Sequence, residues 1–125
     1  MGQPVVHFEI MGRDGEALKR YYGELFGWEI DSNNPMNYGI IDRERNLSPD
    51  GIGIGGGIGQ MPDGMDMPGA LTFYVEVPDV EASLAQAERL GGTRVMGPAE
   101  VMDGLVIGVF RDPEDHPVGV MHSSS

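Results

Sequence analysis

The sequence predicts an α+β fold made of two tandem strand–helix–three-strand (βαβββ) modules. One observation is an internal repeat: Asp14-Gly15-Glu16-Ala17 aligns with Asp79-Val80-Glu81-Ala82 at an offset of 65 positions. The register holds without gaps through Leu25/Leu90, Gly27/Gly92 and Ile30/Val95, and backwards through Phe8/Phe73. Another is periodicity, which switches in each copy from the alternation of a strand to the 3.6-residue recurrence of a helix and back. A chain that builds one unit twice usually places its function where repeated elements converge.

The elements follow in order. Val5 to Ile10 alternates, with Val6, Phe8 and Ile10 on one face and Val5, His7 and Glu9 on the other. Asp14 is an N-cap with Glu16 in the first turn, Ala17, Leu18, Tyr21, Tyr22 and Leu25 recur at helical spacing, and Gly27 stops the helix. Trp28 to Ile30 reads as a strand with Trp28 in the core, Asn33-Asn34-Pro35 as a turn, and Tyr38 to Ile41 as a strand. Asp42 to Asp50 is an exposed loop, and Gly51 to Gly59 is a glycine-rich strand with Ile52, Ile54 and Ile58 in phase. Residues 61–69 form a linker between module one (about 4–60) and module two (about 70–122). In the second copy Leu71 to Val77 is a strand, Asp79 to Leu90 a helix and Thr93 to Met96 a strand. Val101 to Arg111 and Pro117 to His122 complete it, with a turn at Asp112 to Asp115.

Composition narrows the function. The 125 residues make one domain with a sizeable core. Twenty acids against eight bases give a formal charge of −12, which disfavours nucleic acid and anionic membranes as partners and suits a neutral or cationic small molecule. Aromatic wall residues could stack such a molecule if it is itself aromatic. No cysteine is present, which removes disulfides and thiolate zinc sites. No secretory leader or membrane-length apolar run is evident, so a cytoplasmic location is expected. Gly51-Ile52-Gly53-Ile54-Gly55-Gly56 spells a dinucleotide loop, but Gly57 to Pro62 carries no helical period to receive a pyrophosphate. A strand kept slim for a close neighbour is the better reading. The nine methionines add adaptable apolar surface, Met121 among them.

Three segments together resemble the vicinal oxygen chelate superfamily, the glyoxalase/bleomycin resistance/dioxygenase group. They are the His7 strand, Tyr21-Tyr22-Gly23-Glu24-Leu25-Phe26-Gly27-Trp28, and Asp112-Pro113-Glu114-Asp115-His116-Pro117-Val118-Gly119. The resemblance spans the chain and implies mixed sheets curved around a cleft. It also implies that metal-dependent members draw three or four His or Glu ligands from the first and last strands of each module. Of these positions His7 keeps a ligand, while Thr72, Gly119 and the strand Gly51 to Gly59 do not. No metal and no cofactor are therefore expected.

Strand parity sends His7, Glu9, Thr72, Tyr74, Glu76, Gly119 and Met121 to the binding face. His122 is out of phase with Met121 and points away. The expectation is a metal-independent homodimeric protein that binds a small molecule, sequestering an antibiotic or natural product. The alternative is a lyase, isomerase or oxygenase with an atypical or absent metal site, in which His7 and Glu9 serve as general base and acid.

Overall fold

The structure is a computed structural model, and it describes residues 2–64 and 71–124. The chain divides into two compact units, one of residues 7–71 and the other of residues 1–6 with 72–125. Each carries a mixed sheet and a helix, and each follows the βαβββ order.

The unit of residues 7–71 contains β1 (Val5–Gly12, its first two residues apart), α1 (Gly15–Phe26), β2 (Ile30–Asp31), β3 (Gly39–Ile41) and β4 (Gly55–Gln60). Its strands lie in the order β2-β3-β4-β1, with β1 parallel to β4 and the other pairs antiparallel. Asp14 caps α1 by accepting from the Ala17 amide at 3.0 Å, and Gly27 ends it in the left-handed region at φ 72°. Trp28 packs within 5.1–5.8 Å of the rings of Phe8, Tyr22 and Phe26, which fills the space between α1 and the sheet.

The second unit contains β5 (Leu71–Glu76, Leu71 apart), α2 (Val80–Arg89), β6 (Thr93–Met102), β7 (Leu105–Arg111) and β8 (Pro117–Ser123). Its order is β5-β8-β7-β6, again with the first strand parallel to the last. Asp79 caps α2 through the Ala82 amide at 3.0 Å. Val77, Val80, Leu84 and Val120 form its core, with Val75, Val106 and Phe110 packed against them. Arg94 reaches from β6 to Glu81 and Glu88 on α2, at 2.8 and 3.1 Å.

Several boundaries differ from the sequence expectation, among them the strand expected over Val101 to Arg111, whose first two residues end β6 while β7 begins only at Leu105. The strand expected over Gly51 to Gly59 begins at Gly55, because Ser48 to Gly51 closes a turn through Gly51 N–H donating to Ser48 O at 2.8 Å. The stretch Asp42 to Asp50 contains a short 3-10 helix at Arg43–Arg45. Pro98 does not end the strand begun at Thr93: β6 runs to Met102, absorbing the proline in a register shift between Met96 and Ala99. The expected linker falls partly outside the described residues, including Met65 and Met67.

Candidate functional site

In the unit of residues 7–71 the polar face of β1 meets Tyr38. His7 Nε2 lies 3.0 Å from the Tyr38 hydroxyl, which donates to Glu9 Oε1 at 2.9 Å. The imidazole and phenol rings stack at 6.2 Å. His7, Tyr38 and Glu9 are all half-buried. Burial holds His7 below the ordinary histidine range, so its imidazole is neutral at neutral pH. With the Tyr38 hydroxyl donating to Glu9, its oxygen accepts from His7, which requires the tautomer protonated at Nε2.

Two local devices place Tyr38. The Asn34 side chain grips its backbone from both sides, accepting from Tyr38 N at 2.9 Å and donating to Tyr38 O at 2.7 Å. Strand β4 supplies the floor. A Cβ on Gly57 would stand 2.0 Å from Tyr38 Cε2, and one on Gly59 would stand 3.1 Å from Tyr38 Cδ1. The glycine run is slim so that this ring can lie on the strand, while the Phe8 ring covers Gly56 on the other face.

In the second unit Tyr74 and Gly119 are register partners, and a Cβ on Gly119 would stand 2.4 Å from Tyr74 Cδ2. The Thr72 hydroxyl donates to Pro117 O at 2.6 Å, and its residue is 9% exposed. Glu76 pairs in register with Met121. His122 Nδ1 lies 2.9 Å from Val77 O and 3.4 Å from Glu76 Oε2, so this histidine and carboxylate form a half-exposed pair.

The structure thus joins His7 with Glu9, and Tyr74 with Gly119, within their respective units. Sequence reasoning missed Tyr38 altogether. The available signal was Gly55, Gly57 and Gly59 in alternation: a strand without side chains on one face needs a ring above it, and Tyr38 immediately precedes the neighbouring strand β3.

The metal that the fold family implies does not fit these residues. Gly57 and Gly119 stand at closing-strand positions, bear no donor and are covered by tyrosine rings. Thr72 directs its hydroxyl to a backbone carbonyl. Among the described residues no three His, Asp or Glu side chains gather in a geometry that could hold an ion.

Comparison with known proteins agrees with the architecture. The model of a family described as "Glyoxalase-like domain" matches residues 7–121. The curated proteins matched include a putative glyoxylase, CFP32, from Mycobacterium bovis and Mycobacterium tuberculosis, 26% identical over 93% of this chain and 44% of theirs. The chain therefore spans less than half the length of these relatives. Among solved structures, a methylmalonyl-CoA epimerase from Streptomyces coelicolor, in complex with 2-nitronate-propionyl-CoA, superposes with a TM-score of 0.66 at 14% identity, covering 98% of this chain and 99% of that one. A 2,2',3-trihydroxybiphenyl 1,2-dioxygenase from Sphingomonas wittichii gives 0.62 at 15% identity, covering all of this chain and 42% of that one.

Proposed function

Because the chain belongs to the glyoxalase-like domain family of the vicinal oxygen chelate superfamily, we propose that it is an isomerase or lyase acting without a bound metal. Its substrate is a small carbonyl compound bearing an acidic C–H beside the carbonyl. The observation that carries this reading is the His7–Tyr38–Glu9 hydrogen-bond chain. A neutral His7 takes the proton from carbon. The resulting imidazolium donates through Nε2 to Tyr38, which donates to the Glu9 carboxylate, so the new charge is met by a negative group two hydrogen bonds away. Returning the proton to the same carbon, or to a neighbouring atom, gives epimerisation or isomerisation; expelling a leaving group gives elimination. In this proposal each sheet curves around its polar face, and the protein acts as a cytoplasmic homodimer.

Sequestration of an aromatic or cationic antibiotic, by a site including Thr72, Tyr74, Glu76, Gly119 and Met121, is the second reading. The slim, ring-covered strands favour it as apolar contact surface. The glyoxylase and epimerase names among the matched proteins favour proton transfer.

The test is deuterium wash-in from heavy water, followed by NMR, on a panel of α-acidic thioesters, α-hydroxyketones and hemithioacetals, using chelator-treated protein. Exchange that is retained after chelation and lost in His7→Ala and Tyr38→Phe is expected. No exchange across the panel, or exchange that appears only when a divalent metal is restored, would sink the proposal.

A further inference from the structure

The two units differ on the helix side of their sheets, and the difference leaves a cavity. In the unit of residues 7–71 the half-buried Tyr22 and Trp28 rings stack between the C-terminal half of α1 and Phe8 of β1, while Phe26 touches them from a largely exposed position. At the repeat offset, and with the helices capped alike at Asp14 and Asp79, the corresponding residues of the second unit are Ala87, Gly91 and Thr93. Leu18 is likewise replaced by Ser83. Where the aromatic plug is missing, a cavity of about 390 Å³ opens between α2 and the sheet. Its walls include Val75, Val118 and Val120 from the strands and Ser83, Ala87 and Leu90 from the helical segment. Phe73, the counterpart of the packed Phe8, is left 42% exposed.

We propose that this cavity is a binding site for a flat aromatic molecule carrying a cationic group, which takes the place that the aromatic side chains hold in the sister unit. The size is that of small-ligand sites. The flatness follows from the gap itself, a space between a helix and a sheet that the stacked Tyr22 and Trp28 rings occupy in the other copy. The cation follows from charge: among the described lining residues Asp112 alone is charged. Its carboxylate accepts from the Glu114 and His116 amides at 2.9 Å each and pairs with His116 Nδ1 at 3.0 Å. These hydrogen bonds, the His116 amide foremost, keep it ionised at neutral pH. The site draws on none of the residues of the His7–Tyr38–Glu9 chain, so it stands apart from the proposed activity.

The probe is tryptamine, with indole-3-acetate as its charge-reversed control, titrated into methyl-labelled full-length protein. Saturable shifts at the methyls of Val75, Ala87, Val118 and Val120 are expected, with indole-3-acetate at least tenfold weaker. Ala87→Tyr restores the ring of the sister unit and should weaken tryptamine at least tenfold. Ser83→Leu fills the slot from another side and should do the same if Ala87→Tyr fails to fold. Unchanged affinity in a folded filling variant, equal binding of the two indoles, or shifts confined to other residues would overturn the proposal. So would shifts of these methyls that follow protein concentration alone, since they would place a second copy there.

Discussion

Gly57→Ala is a single-methyl change whose sign separates two accounts of the glycine strand. If Gly57 were merely a weak strand former, alanine would stabilise the fold by about 0.4–1 kcal/mol through the unfolded chain. The structure gives the opposite sign. The new Cβ would stand 2.0, 2.1 and 2.2 Å from Tyr38 Cε2, Cζ and Oη, where carbon contacts settle at roughly 3.5–4.0 Å. The ring must withdraw by about 1.5 Å, which carries the 3.0 Å bond to His7 and the 2.9 Å bond to Glu9 past useful length. Overpacking costs about 1–3 kcal/mol, and the two half-buried hydrogen bonds add about 1 kcal/mol each. Net of the chain-entropy gain, a destabilisation of about 2–4.5 kcal/mol is expected. Urea unfolding measures it, and NMR titration of His7 supplies an independent readout. With the ring withdrawn and water admitted, the His7 pKa should rise towards the ordinary histidine value. A variant as stable as the parent, with an unchanged His7 titration, would refute the argument that Tyr38 rests on Gly57.

The remaining predictions concern pH, core and caps. The folded-state pKa of His7 lies below its unfolded value near 6.5. Stability is therefore unaffected by this group above that pH, and is lost as pH falls through the window beneath it because the unfolded chain takes the proton first. His7→Gln should flatten the fall in urea midpoint between pH ~6.5 and ~5, and an identical slope in both proteins would contradict the assignment. Leu84 is fully buried against Val77, Val80 and Val120, so Leu84→Ala should cost about 2–5 kcal/mol in the same assay. A loss below about 1 kcal/mol would mean that α2 does not seat there. Asp14→Ala and Asp79→Ala should each cost about 1 kcal/mol, with circular dichroism showing frayed helix content. Equal stability would show that these caps are replaced by water.

Much of the fold was legible because the repeat made each element visible twice. Asp14, Asp79 and Gly27 marked helix ends by local chemistry that tertiary context left alone. The boundaries that shifted depend on partners remote in sequence. β6 continues past Pro98 because β7 pairs with it on both sides of the register shift. The site was half legible. Parity put His7 and Glu9 on one face, and the glycine run pointed to a close neighbour, but alternation does not say which ring arrives from another strand, so Tyr38 was not identified. His122 pairs with Glu76 despite its phase, because the Val77 carbonyl accepts from its ring just past the end of β5.

The tyrosine-covered glycines also constrain how this chain could change its chemistry over time. Gly57 and Gly119 each lie under a ring. An acidic residue arriving there first would meet an occupied site and destabilise the fold before it could serve any purpose. The ring must shrink before the carboxylate arrives, and shrinking Tyr38 dismantles the hydrogen-bond chain through His7 and Glu9. Two adjacent genotypes are thus separated by a valley whose crossing depends on the order of steps. Ancestral or library experiments that introduce the pair in both orders should find one path open and the other closed.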